Sequence, residues 1–250
     1  MNTGSPELTI DGAVATITLR RPEQANRLAA EDLEVLATLI GQCNARPEVL
    51  VLQLRGTGKY FCSGYDITAI GGPRTLRFDQ MVDAFEDARP VTLAVMQGGV
   101  YGGATDMALA CDFRIGSHDV DMFMPAARLG LHFYQRGLER YVSRLGVNMA
   151  KRLFLTAEKI GAEEMHACGF LTHLVPAGEL HASAERLTDT LAGMAPLALL
   201  GMKKHLSRIA RGTLDAAELQ HDVARAARSD DLKEGAAAWA AKRAPRFSGR

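Results

Sequence analysis

The sequence predicts an α/β protein, and three observations carry that prediction. Apolar runs of strand length alternate with segments of helical apolar spacing through the first two thirds of the chain. The last third is almost entirely Ala- and Leu-rich helical pattern. A glycine pair, Gly102-Gly103, sits where an apolar strand gives way to a helix, a junction typical of ligand-binding α/β units.

Residues 8–11 and 13–19 alternate apolar and polar side chains around Asp11-Gly12, a favourable hairpin turn. Residues 31–43 place Leu33, Leu36, Leu39, Ile40 and Cys43 on one helical face. Residues 49–54 read as a buried strand, followed by a loop rich in Gly, Lys and Ser that runs to Ile67. A helix is predicted over 78–88, a second buried strand over 91–96 and a short helix over 104–111. Brief strands follow at 113–115 and 122–124. From Gly137 onward the pattern is helical apart from 171–175. Helices are expected over 197–210, 214–228 and 232–242, with Ser229 and the following Asp230-Asp231 capping the last. Two regions are therefore expected, a core over 1–195 and a helical region over 196–250. The helical region packs either on a neighbouring subunit or back on its own core.

Composition narrows the function classes. The chain has 250 residues, enough for one large domain. Lys+Arg and Asp+Glu both count 29, so no global field points to nucleic acid or a membrane surface. No apolar run approaches the ~18 residues of a membrane span. The polar N-terminal Met-Asn-Thr-Gly-Ser-Pro lacks a signal-peptide pattern. Cys43, Cys62, Cys111 and Cys168 show no metal or redox spacing, and unpaired thiols suit a reducing cytoplasm.

The run Gln97-Gly-Gly-Val-Tyr-Gly-Gly-Ala-Thr-Asp106 aims backbone amides and a helix dipole at whatever binds there, favouring partial negative charge. Common nucleotide motifs fail on single residues. Val100 stands at the third place of a dinucleotide fingerprint. In Gly56-Thr57-Gly58-Lys59, Gln53 and Tyr60 occupy positions that a phosphate loop reserves for Gly and Ser/Thr. The histidines form no zinc motif, and neither Ser63 nor Ser117 lies in a nucleophile elbow.

Two loops remain, Gly58-Lys-Tyr-Phe-Cys-Ser-Gly-Tyr-Asp-Ile67 and 98–106. Together with Met124-Pro125-Ala126-Ala127-Arg128-Leu129-Gly130 they resemble the crotonase (enoyl-CoA hydratase/isomerase) superfamily. The resemblance runs from Thr16-Ile-Thr-Leu-Arg-Arg-Pro-Glu23 to a tail at 239–247 like the family's Phe-x-x-Lys-Arg-x-Pro-x-Phe ending. It implies a spiral of ββα units with a C-terminal helical trimerisation region, and a homotrimer or dimer of trimers. The ligand it implies is an acyl-CoA thioester, with coenzyme A part of the substrate and neither a further cofactor nor a metal. No nucleic-acid or membrane partner is expected. By matching motifs, the backbone N–H groups of Tyr65 and Gly103 form an oxyanion hole, each donor worth about 3–4 kcal/mol of transition-state stabilisation. Substrate and CoA contacts fall on Ala25, Arg27, Leu28, Ser63, Gly64, Asp66, Ile67, Tyr101, Gly102 and Ala126. Arg27 and Lys59 are candidates for phosphates, and Lys242 or Arg243 for a neighbour's CoA, against the plainer reading of solvated surface charge.

The acid/base positions depart from the family. Hydratases of the family use two glutamates; the first falls on Asp106 and the second on Ala126, which can move no proton. Asp106, His132 and Tyr134 are the candidates to fill the gap, each with a structural alternative: amide capping for Asp106, a structural imidazole for His132, a core aromatic for Tyr134. Tyr134 falls where some superfamily isomerases and dehalogenases carry a catalytic Asp. Methylmalonyl-CoA decarboxylases of the superfamily are similar in the Gly-Gly-Ala run and in an aromatic residue after the Leu-Gly of the third motif. They carry His where this chain has Tyr65. The resemblance therefore implies decarboxylation or double-bond isomerisation before two-glutamate hydration, with a catalytically silent acyl-CoA-binding protein as the alternative of a different class.

Overall fold

The computed structural model of the protein describes residues 4–67 and 76–250. The chain enters as an antiparallel hairpin, β1 (Glu7–Asp11) and β2 (Val14–Leu19), closed at the Asp11–Val14 pair. Helix α1 (Ala30–Asn44) crosses to β3 (Val51–Gly56), which pairs parallel with β2. Helix α2 (Phe78–Glu86) precedes β4 (Val91–Met96), again parallel. The short β5 (Val100–Tyr101), α3 (Gly103–Ala110), β6 (Phe113–Ser117) and β7 (Asp121–Phe123) follow in quick succession. Then come α4 (Gln135–Thr156), β8 (Ile160–Gly161), α5 (Ala162–Ala167), β9 (His173–Val175) and α6 (Leu180–Ala192). The chain finishes with α7 (Pro196–Ala210), α8 (Ala216–Ala227) and α9 (Asp230–Ala240).

The strands form a six-stranded sheet in the order β1-β2-β3-β4-β6-β9 and a small sheet β5-β7-β8. All pairings of the large sheet except the first hairpin are parallel. Both faces are covered, as a parallel sheet requires, and the side-chain period of two sorts each strand between two cores. Leu52, Leu54, Ala94 and Met96 face the main core with residues of α1, α2 and α3. Leu93, Val95 and Ile115 turn the other way, onto Leu180 and Ala184 of α6. Gln53 also points to α6, where burial obliges it to find a partner: its amide donates to Thr188 Oγ1 at 2.7 Å.

The structure corrects several sequence boundaries. Residues 49–50 are buried but still turning: Val49 N bonds back to Arg46 O, and Leu50 N and Val51 N share Ala13 O. Apolar burial alone had lengthened that strand. Phe170 and Leu171 are likewise core residues ahead of β9, held by a turn from Leu171 N to Met165 O. Strand β8 is two residues long, too short to leave a period. Helix α4 is broken at Gly146 (φ 78°, ψ 155°).

In the C-terminal region Leu199 and Leu200 of α7 pack against the cluster of Leu50, Val51, Val91 and Leu191, so this helix folds back on its own core. Ser229 Oγ accepts from Leu232 N at 3.1 Å, the expected cap. Asp231 is buried and accepts from Ser248 N at 2.6 Å and Gly249 N at 2.9 Å, tying the tail to the start of α9. Among the described residues no helix is long and apolar enough to cross a membrane, and no cluster of side chains is arranged to hold a metal ion.

Candidate active site

Three backbone loops are stitched together at the C-terminal ends of β2, β3 and β4. In the first, Ala25 and Asn26 both take left-handed backbone (φ 51° and 53°). Asn26 holds that turn: its side chain accepts from Arg21 N at 3.0 Å and donates to Thr57 O and Tyr60 O at 2.8 and 2.9 Å. The second loop lies beside it, Ser63 N donating to Ala25 O, Leu28 N to Gly64 O and Asp66 N to Leu28 O. The third joins through Cys62 N to Gly99 O and Tyr101 N to Cys62 O. Gln97 closes the far side, its amide donating to Gly56 O, Gly58 O and Tyr60 O at 2.9–3.0 Å.

This stitching brings Gly64 against the glycine pair. A Cβ on Gly64 would lie 2.7 Å from Tyr101 O and 3.2 Å from Gly103 N, and φ at Gly64 is +100°. Both facts require glycine there. The two segments carrying Tyr65 N and Gly103 N thus meet at backbone contact. Gly103 opens α3, so its amide lies in the first turn, where a helix supplies no acceptor of its own. The Phe78 ring covers Gly103: a Cβ added there would be 2.6 Å from Phe78 Cζ. Phe78 in turn stands between Tyr65 (centroids 5.4 Å) and Tyr134 (6.4 Å).

Asp106 is three residues past Gly103 and on the same side of α3, one turn deeper. It is fully buried. Its carboxylate does not cap α3, whose N-cap Gly102 has no side-chain bond. Instead Oδ1 accepts from Arg140 Nε at 2.9 Å, and Oδ2 accepts from Arg140 Nη2 at 3.1 Å and from the Tyr134 hydroxyl. Arg140, itself buried, is gripped from behind by Glu86 Oε2 at 2.6 Å and Asp83 Oδ1 at 3.3 Å. Arg136 and Arg144 extend the basic stripe of α4 onto Glu86, and Arg211, just past α7, reaches Asp87 at 2.7 Å.

The electrostatics follow from that packing. Burial raises the Tyr134 hydroxyl well above the ordinary tyrosine range, and the Asp106 charge it faces raises it further. Burial works against the Arg140 cation, but Asp106 and Glu86 outweigh it and hold the guanidinium above its usual value. Burial also raises Asp83, opposed by Arg136 and Arg140. Tyr134 is thus a neutral donor at physiological pH.

The other sequence candidates are distributed around this centre. Ala126 is buried beside Pro125, whose Cδ lies 3.9 Å from a Cβ built on Gly102. His132 is exposed, its Nδ1 2.8 Å from Phe133 O, and no contact joins it to Asp106 among the described residues. Arg27 is half-exposed and lies 3.5 Å from Asp66. Ile67 is exposed, and the Tyr101 side chain turns away toward Tyr60 and Phe123. A cavity of about 800 Å³ lies apart from the glycine pair, bordered by Glu86, Arg89, Lys203 and Arg211.

Sequence reasoning missed Asn26, Phe78, Glu86 and Arg140. Two signals were available. Arg136, Arg140 and Arg144 recur every four residues, and Asp83, Glu86 and Asp87 form a complementary acidic face at the end of α2. Asn also tolerates left-handed backbone better than other non-glycine residues.

Fold and loop arrangement together define a crotonase-type α/β protein. The chain belongs to the enoyl-CoA hydratase/isomerase family, whose sequence model matches residues 9–250. It is 29% identical over 215 residues to the short-chain-enoyl-CoA hydratase of Clostridium acetobutylicum, covering 83% of this chain and 82% of that protein. It is also 29% identical to the carnitinyl-CoA dehydratase of Proteus mirabilis, over 98% of this chain and 99% of that one. Among solved structures, an enoyl-CoA hydratase/carnithine racemase from Magnetospirillum magneticum superposes with a TM-score of 0.91 at 25% identity, covering 100% and 97% of the two chains.

Proposed function

We propose that this chain is an acyl-CoA enzyme that decarboxylates a malonyl-type thioester through an enolate. The family and its relatives' names support a CoA thioester as substrate. The reaction rests on one observation: the carboxylate at the family's first acid/base position is buried and saturated by Arg140 and Tyr134, while Ala126 occupies the second. With its two oxygens already accepting three hydrogen bonds, this carboxylate has no oxygen left unengaged to take a substrate proton. An enolate formed by loss of CO2 needs no base. The C–C bond to the substrate carboxylate breaks, its electron pair moves onto the thioester oxygen, and the backbone N–H groups of Tyr65 and Gly103 receive that charge. Tyr134, hydrogen-bonded to Asp106 one helical turn past Gly103, then turns its O–H from that carboxylate, gives its proton to the α-carbon and is reprotonated from solvent. In this reading Asp106 orients Tyr134, and the remaining contacts expected of the first two loops, from Ala25 to Leu28 and from Ser63 to Ile67, hold the CoA moiety.

A second reading, double-bond isomerisation, is favoured by the direct Tyr134–Asp106 hydrogen bond, along which one proton can pass between substrate carbons. The test is turnover of methylmalonyl-, 3-enoyl- and crotonyl-CoA by wild type, Tyr134→Phe and Asp106→Asn. Decarboxylation that falls at least tenfold in Tyr134→Phe is expected. Faster hydration of crotonyl-CoA than decarboxylation would overturn the proposal, and binding without turnover of any thioester would leave a silent acyl-CoA-binding protein.

A homotrimer or dimer of trimers built through 196–250 is part of the same reading, supported by Met202, Leu206 and Trp239 standing exposed on α7 and α9. Sedimentation as a monomer at micromolar concentration would sink it. A cytoplasmic setting is supported by four cysteines held as free thiols.

A further inference from the structure

We infer that Arg140, backed by Glu86, is the positioning residue that aims the Tyr134 hydroxyl through Asp106. The inference rests on the reading of Tyr134 as proton donor but is carried by separate geometry. Tyr134 is the residue just before α4, where a phenol ring has rotational freedom unless something fixes it. One side is fixed by stacking on Phe133 at 4.4 Å and by the Phe78 edge. Neither contact reaches the hydroxyl. Among the described residues that hydroxyl bonds to Asp106 Oδ2, so its direction is as well defined as the carboxylate plane.

That plane is set by Arg140. A carboxylate held at one oxygen can rotate about its own bond; one held at both oxygens by a planar fork cannot. Arg140 supplies that fork, Nε to Oδ1 and Nη2 to Oδ2. The third nitrogen, Nη1, points back to Glu86 Oε2 at 2.6 Å, which stops the guanidinium sliding along the Asp106 edge. Behind the neutral phenol the charges alternate, carboxylate, guanidinium, carboxylate, through a stretch in which Asp106 and Arg140 are buried and Glu86 is 5% exposed. Each member needs its neighbour, because a lone buried charge there is costly. Lysine cannot replace the arginine: a point ammonium grips one oxygen at a time and leaves the plane free.

The experiment uses the full chain labelled with ¹³Cζ-tyrosine, the Tyr134 resonance being assigned by its loss in Tyr134→Phe. Arg140→Lys and Glu86→Gln are compared with wild type. In wild type a single sharp Tyr134 line is expected. In Arg140→Lys it should shift or split, and kcat for the decarboxylation should fall about tenfold, the equivalent of one charge-assisted hydrogen bond, with KM within about twofold because the CoA loops are untouched. Glu86→Gln keeps the fork and should move the same line by less; it also serves where Arg140→Lys does not fold. An unchanged Tyr134 line and unchanged kcat in the folded variants would overturn the inference and leave Arg140 as a brace between α2, α3 and α4. A Tyr134 line that responds as expected in a protein that turns over no thioester would uphold the positioning role and sink the proposed reaction instead.

Discussion

Gly64→Ala tests the loop geometry most directly, because the obstruction is backbone and cannot swing aside. The new Cβ would sit 2.7 Å from Tyr101 O and 3.2 Å from Gly103 N, so the two loops must separate by several tenths of an ångström. Holding an L-residue at φ +100° costs about 1–3 kcal/mol, and the overpacking adds about 1–3 kcal/mol. A destabilisation of roughly 2–6 kcal/mol is expected, measured as a lower urea midpoint at unchanged slope. The catalytic effect is separable from it. Displacing one of two preorganised donors costs about 10²–10³ in kcat, whereas affinity for free CoA, measured by calorimetry below the unfolding transition, should stay within about threefold. Gly12→Ala is the control. It also has positive φ (+53°), but nothing lies within 4 Å of its Cβ, so it should lose about 1 kcal/mol and keep full turnover. A folded Gly64→Ala protein with wild-type kcat would refute the assignment of Tyr65 N and Gly103 N to the reaction.

Other outcomes follow from the same packing. Arg140→Gln should cost about 3–5 kcal/mol by stranding Asp106, and much of that should return in the double variant with Asp106→Asn, as a chemical-denaturation cycle will read. Ser229→Ala should lose about 1 kcal/mol through the missing cap on α9 while turnover holds; a larger loss of activity would mean that the C-terminal region acts on the site. Alkaline stability should fall steeply. Burial raises the hydroxyls of Tyr134 and Tyr141 above their unfolded value near 10, so their contribution is intact below pH 10 and shrinks by about 1.4 kcal/mol per pH unit per tyrosine above it, where the unfolded chain releases protons the native one keeps. Urea unfolding between pH 9 and 11 should show a shallower decline in Tyr134→Phe; an identical slope would contradict the assigned burial.

Much of the fold was legible because each β-strand and helix carries its own period. Residues 91–96 matched β4 at both ends, since Val91, Leu93 and Val95 and their alternates are all buried between two helical layers. The errors fell where burial and hydrogen bonding part company, as at Val49 and Leu50, apolar enough for a strand yet bonded as a turn. For the site, the glycines were readable as glycines because no other residue fits their backbone. Asp106 was readable as a carboxylate near Gly103, but not as a carboxylate already spoken for. That depended on Arg140, 34 residues away, and on Glu86, which is 54 residues from Arg140 along the chain.

The sequence by itself determined the α/β class, the family-like loops with their glycine turns at Gly64 and Gly102-Gly103, and the absence of a carboxylate at Ala126. These are properties of local spacing and residue type. Only the tertiary structure decided what Asp106 does, because the state of a buried carboxylate depends on which charges other segments bring within hydrogen-bond reach. Helix α4 brings Arg140, with Tyr134 just before it, and α2 brings Glu86 behind them, so the Asp106 carboxylate is held at both oxygens by groups from another segment.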